Sequence, residues 1–186
     1  MNRIHRIESY VRLTIIFAAS FVVLYMPILF ILKKRGIMVL RQLSYLGFAF
    51  SLFLILFATI FYVWPLGISE SRALNIIPFY WINTGYSWRM IVSDFIPNIL
   101  MFAPFGIFLP LAFKKMRKCL LVTLAAFCLS VTVETAQYFI GRTADINDVI
   151  ANTIGGILGF LLFLAANKFI TKKWWEVMVG GEVRNE

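Results

Sequence analysis

The chain has 186 residues, of which 61% are hydrophobic and 15% charged, with 18 basic residues against 9 acidic ones and a net charge of +9. A soluble domain of this length carries far more charge, and the apolar residues fall into long blocks, which argues for one compact integral membrane domain. The basic excess does not indicate nucleic acid, because no basic helix or zinc-finger spacing accompanies it. The basic residues flank apolar blocks, where they serve as topology signals and contacts to anionic membrane lipids.

Residues 1–12 are basic, with Ile4, Ile7 and Val11 at helical spacing, a pattern for a short interfacial helix without a cleavable signal pattern. Leu13 to Leu32 is uncharged and, at about 1.5 Å per residue, covers roughly 30 Å, enough for one crossing. Lys33, Lys34, Arg35 and Arg41 form a basic turn before a second crossing, Leu43 to Trp64, closed by Trp64-Pro65. Residues 65–94 form the longest polar loop. Its Tyr80, Trp81, Tyr86 and Trp88 suit the headgroup layer, Asn83-Thr84-Gly85 is a turn signal, and Arg72 and Arg89 are placed to meet lipid phosphates.

The third crossing, Phe95 to Phe113, contains Pro97 in its first turn, and Pro104-Phe105-Gly106, which predicts a kink or break. Lys114, Lys115, Arg117 and Lys118 follow. The fourth crossing is Cys119 to Ile140 and the fifth Val149 to Asn167, with Trp174-Trp175 and further lysines in the tail. Cys119 and Cys128, nine residues apart in one block, are expected as small buried hydrophobes rather than a disulfide or metal site. The fold class expected is therefore an all-α membrane protein, a compact bundle of about five transmembrane helices with a kinked third helix. Five crossings put twelve basic residues on the side of the turns at 33–41 and 114–118 and the C-terminal tail, against six on the other. This predicts a multi-pass protein of the cell membrane with the N-terminus outside and the C-terminus cytoplasmic.

Polar residues gather at the outer ends of three crossings. Glu134 lies about 22 Å along a core roughly 30 Å thick, hence about 8 Å below its outer edge. Asn98 and Asn152 each lie four residues, or about 6 Å, inward from Asp94 and Asp148. Glu134 and Gln137 are spaced i,i+3, and Asp148 and Asn152 i,i+4, so each pair shares a helix face. Gly155 and Gly159 are a small-xxx-small pattern that lets a neighbouring helix approach. Arg142, in the turn, is placed to neutralise a carboxylate or hold an anionic headgroup.

Structural roles compete with chemical ones. Asp145 and Asp148 fit the N-cap and first turn of the fifth helix, Asn98 and Asn152 suit interhelical hydrogen bonds, and Arg142 suits a pair with Asp145. Glu134 has no capping role, and an intramembrane acid is a functional candidate. Carboxylates with asparagines suit a divalent ion or general acid–base work. However, His5 is the sole histidine, no nucleophile sits with a base, and Asp-x-x-Asp alone is a weak metal signal. No metal site, cofactor or catalytic residue is assigned, and no internal repeat points to a transporter.

Three separated motifs occur in order: Asn98-Ile-Leu-Met-Phe-Ala-Pro-Phe-Gly106-Ile-Phe-Leu-Pro110, Glu134-Thr-Ala-Gln137, and Asp145-Ile-Asn-Asp148-Val-Ile-Ala-Asn152-Thr-Ile-Gly155-Gly156. Over roughly residues 60–170 the chain resembles the VanZ-like family of membrane proteins, whose founding member is associated with reduced susceptibility to teicoplanin, a lipid-tailed glycopeptide. The resemblance implies a VanZ-like domain over 42–170, preceded by a segment 1–41 with the first crossing and followed by a cytoplasmic tail, 171–186. It carries over Asn98, Pro104, Gly106, Glu134, Gln137, Arg142, Asp145, Asp148, Asn152, Gly155 and Gly156 without giving any of them a role.

Three readings follow. The first is protection of the envelope, with Asn98, Glu134, Gln137, Arg142, Asp145, Asp148 and Asn152 forming an outer-leaflet site that binds a membrane lipid, a lipid-tailed glycopeptide or a lipid-linked envelope precursor. The second is a membrane enzyme modifying such a lipid with a metal held by the carboxylates. The third is a non-catalytic scaffold.

Overall fold

The computed structural model describes residues 3–34, 39–61, 73–83, 88 and 91–169. Five helices follow in order: α1 (Arg3–Lys34), α2 (Val39–Leu56), α3 (Ile96–Ala112), α4 (Cys119–Phe139) and α5 (Ile146–Phe169). Four spans among the described residues are long and apolar enough to cross a membrane: Arg41–Ile60, Ile91–Ala112, Cys119–Phe139 and Ile146–Phe169. α1 adds a shorter apolar stretch, Ala19–Ile31. The protein is an all-α membrane bundle. Its outer faces carry exposed Leu24, Phe30, Leu100, Leu120, Phe127, Leu161 and Leu162, the all-round hydrophobicity of helices that meet lipid.

Several expectations need correction. α1 is continuous, so residues 3–12 do not form a separate interfacial helix. Of the kink or break expected at Pro104, the break does not occur: α3 runs from Ile96 to Ala112 with Pro97 in its first turn. Two π-helical turns, Phe57–Phe61 after α2 and Ile91–Phe95 before α3, were not expected. Cys119 and Cys128 are free and exposed, not buried, because they face outward from α4. Trp64-Pro65, Arg72, Thr84-Gly85, Tyr86, Arg89, Arg35 and the tail from 170 lie outside the described residues, as do the side chains of Ile4, Ile7 and Val11.

α3 and α5 are the closest pair, for a reason written in their glycines. A Cβ on Gly155 would collide with the backbone of Ile99, one on Gly159 with that of Ala103, and one on Gly106 with that of Gly156. Backbones that approach this closely exchange dispersion contacts that larger side chains would hold apart, which is how helices associate in lipid. α2 packs on α3 and α4 on α5 around a core of Ile55, Phe102, Phe105, Leu109, Val122, Ala126, Val133, Phe160 and Phe163. α1 leans on α2 through the rings of Phe21, Phe50 and Phe53.

The two ends of the bundle differ. At one end Arg41 donates to the carbonyls of Leu111 (2.6 Å) and Ala112 (2.7 Å), closing the C-terminus of α3. Lys33, Lys34, Lys114, Lys115, Arg117, Lys118 and Lys168 belong to this end. The other end holds the last turns of α2 and α4 and the first turns of α3 and α5. There a two-residue parallel pairing joins β1 (Leu74–Asn75) to β2 (Ala144–Asp145), just before α5.

Candidate functional site

Polar side chains in the spans divide into two kinds. Hydroxyls bond back to their own helix: Ser20 to the Ile16 carbonyl (2.8 Å), Thr132 to Cys128 (2.8 Å), Thr135 to Val131 (2.7 Å) and Thr153 to Val149 (2.7 Å). They need no partner from elsewhere, which makes them tolerable in lipid. Amides and carboxylates are too polar for that remedy and instead reach across to other elements. Those of α3, α4 and α5 that do so converge at the end opposite the basic turns.

Asn98 on α3 donates to Asp148 Oδ1 on α5 (2.7 Å). Asn152, one turn deeper and 1% exposed, donates Nδ2 to Ser130 Oγ on α4 (2.9 Å). Gln137 Nε2 and Arg142 Nη1 both donate to the Thr59 carbonyl in the π-helical turn after α2 (3.2 and 3.3 Å). Glu134 Oε2 accepts the backbone N–H of Asp145 (2.9 Å), tying α4 to the start of α5. All seven residues anticipated from the sequence, Asn98, Glu134, Gln137, Arg142, Asp145, Asp148 and Asn152, line one cavity of about 480 Å3.

The turn between α4 and α5 is built to aim them. Gly141 adopts φ 86°, the Arg142 N–H returns to the Gln137 carbonyl (2.9 Å), and the Gly141 N–H returns to that of Tyr138 (3.2 Å). This Schellman closure favours glycine at its left-handed position and brings Arg142 to the cavity. Asp145 Oδ1 then accepts the N–H of Asn147 (2.8 Å), the expected N-cap of α5. Arg142 is not paired with Asp145 or any other carboxylate among the described residues; the Thr59 carbonyl holds it instead.

Other residues in or beside the cavity were not anticipated as part of the site. Asn75 Nδ2 donates to Asp145 Oδ2 (2.9 Å) across the strand pair. Asn147, 4% exposed, donates Nδ2 to Asp145 Oδ1 (2.7 Å) and accepts the Phe79 N–H (2.6 Å), holding Phe79 at φ 54°. Trp81 is 7% exposed, packed edge-on against Phe79 and Phe95, so it is a wall of the cavity rather than a headgroup anchor; Trp88 is exposed. Tyr80 and Asp94 also line the cavity. Burial first, then the nearby Asp145, Asp94 and Asp148, push the Tyr80 phenol above its usual pKa. Asn147 stood within the third motif, a signal that was there to be used. Asn75 and Thr59 carried none.

Chemically the cavity is rich in acceptors. Once the bonds above are made, Glu134 Oε1, Asp148 Oδ2, the Asp94 carboxylate and Asn152 Oδ1 have no protein partner among the described residues. Asn152 Oδ1 is the single fully buried side-chain polar atom left so among them. No three His, Cys, Asp or Glu side chains among the described residues are grouped to hold a metal ion.

Residues 43–167, two thirds of the chain, match the VanZ/LLP1 family profile. The chain belongs to the VanZ/LLP1 family. It is similar to "Protein VanZ" of Enterococcus faecium, with 39% identity over 108 residues, covering 56% of this chain and 60% of that protein. The chain thus spans about three fifths of the length of that curated relative. No solved structure matches. The matched region contains α3, α4, α5 up to Asn167 and every cavity residue contributed by them, so the cavity lies within the VanZ/LLP1 region.

Proposed function

We propose that this VanZ/LLP1 membrane protein lowers susceptibility to lipid-tailed glycopeptides such as teicoplanin by binding a lipid-bearing ligand in its polar cavity. The observation that carries the reading is the convergence of amides and carboxylates from α3, α4 and α5 on one cavity instead of on their own helices. Groups this costly to keep in a membrane are retained where they meet a ligand. The resistance context comes from the resemblance of the three motifs to the VanZ-like family, and the similarity to Protein VanZ supports that family placement. The orientation is part of the proposal: basic residues favour the cytoplasm, so the end with Arg41, Lys114 and Lys168 faces inward and the cavity opens to the outer leaflet. There it meets the lipid, the lipid-linked envelope precursor or the antibiotic.

The test is teicoplanin and vancomycin susceptibility in a sensitive Gram-positive host. It compares empty vector, wild type and Glu134→Gln at matched membrane levels. Protection against teicoplanin by the wild type, lost in Glu134→Gln, is the expected result. Absence of protection by the wild type overturns the resistance reading, and equal protection by both proteins removes Glu134 from it.

A further inference from the structure

The polar cavity has a neighbour across the α4–α5 turn. A second, apolar hollow of about 490 Å3 lies on the outer flank of the same elements, lined by Ile76, Val131, Thr135, Phe139 and Val149 among others. Glu134 and Asp145 line both hollows, and the bond between them (2.9 Å) is the partition. A polar chamber adjoining an apolar trough is the shape of an amphiphile, head in one and chain in the other.

The chamber also specifies the head. It holds four carboxylates, Asp94, Glu134, Asp145 and Asp148, against one arginine, whose Nη1 is engaged by the Thr59 carbonyl. Independently of that cluster, Asn152 is 1% exposed, lines the chamber and keeps its Oδ1 without a partner; a buried acceptor in that state favours a ligand that donates. Tyr80 and Trp81 complete the wall with aromatic side chains. An anionic head would leave these acceptors unpaired and set its charge against the carboxylates.

We infer that the two hollows, joined where the Glu134–Asp145 bond parts, form one seat for an amphiphile with a primary ammonium headgroup and a single long acyl or alkyl chain. This rests on the reading of the cavity as a binding site and narrows it to a ligand class. The ammonium lies between the Asp94 and Asp148 carboxylates with the Asn152 side chain beneath it, and the chain lies along Val131, Thr135 and Phe139.

Native mass spectrometry of the full chain released from neutral micelles tests it, with dodecylammonium as probe and dodecyl phosphate, dodecanol and ethylammonium as controls. The expected result is one bound dodecylammonium, with each control at least about tenfold weaker, the loss expected for removing one good interaction. Asp148→Asn weakens dodecylammonium by about tenfold and leaves dodecanol unchanged. Val131→Trp, at a position already 40% exposed, fills the trough and removes the advantage of dodecylammonium over ethylammonium. Thermal melts of each variant report on folding. Equal or tighter binding of dodecyl phosphate, several adducts regardless of headgroup, or no effect of Asp148→Asn in a folded protein overturns the inference. Those outcomes leave the susceptibility test untouched, because it does not depend on the headgroup.

Discussion

Asn147 fastens the segment from Leu74 to Asn83 over the cavity, and its removal has a calculable cost. Asn147→Ala deletes the acceptor for the Phe79 N–H (2.6 Å) and the donor to Asp145 Oδ1 (2.7 Å), while the backbone N-cap bond from residue 147 survives. A neutral hydrogen bond contributes about 0.5–1.5 kcal/mol and one to a charged group about 1.5–3 kcal/mol. Phe79 is 38% exposed, so water replaces part of the first. Phe79 at φ 54° also costs about 1–2 kcal/mol to hold, which favours release once the bond is gone. A net local loss of about 2 kcal/mol raises the open population of the segment roughly thirtyfold. Amide hydrogen exchange reads it directly: residues 74–82 exchange faster by that order, whereas Phe102 to Phe105 in α3 do not change. Asn147→Asp keeps an acceptor for Phe79 but sets a second carboxylate against Asp145, so it exchanges at least as fast as the alanine variant. Wild-type exchange rates in both variants would refute the fastening role.

Three other substitutions probe separate parts of the frame. Gly159→Val drives a side chain into the Ala103 backbone and forces α3 from α5, lowering stability by about 1–3 kcal/mol in a detergent melt; an unchanged melting temperature contradicts the close packing. Ser130→Ala strands the Asn152 amide and costs about 1–3 kcal/mol, with Ser130→Thr recovering part of it. Gly141→Ala, at φ 86°, costs about 1–2 kcal/mol and displaces Arg142, so its melting temperature falls while Thr143→Ala, on an exposed neighbour, leaves it unchanged.

What the sequence made legible follows from periodicity and distance along the chain. The starts and ends of α4 and α5 came within a few residues, because uncharged blocks bounded by lysines or acids have one physical reading in a membrane. The level shared by Asn98, Glu134 and Asn152 followed from a fixed rise per residue, and the structure brings all three to one cavity. The glycines of α5 announced a close neighbour, though not that it is α3.

The remainder depended on contacts between distant segments. Asn75 reaches Asp145 through a strand pair across some seventy residues, which no local pattern encodes. Trp81 was read from its preference for interfaces, but packing against Phe79 and Phe95 outweighs that preference. The cysteines were expected inside because small apolar residues usually are; a lipid-facing helix surface accepts them equally well. Pro104 sits within an unbroken helix because a proline removes one backbone bond, a loss the tight packing of α3 on α5 tolerates.

The most direct test of the central claim, that the acidic cavity is open to the outside of the cell, is thiol accessibility in intact cells. With Cys119 and Cys128 replaced by alanine, single cysteines are placed at Ser93, exposed on the cavity rim, and at Lys115, exposed at the basic end. A membrane-impermeant maleimide labels Ser93→Cys and leaves Lys115→Cys unlabelled until the cells are broken. Labelling of Lys115→Cys alone in intact cells would contradict the account, because it would turn the cavity toward the cytoplasm.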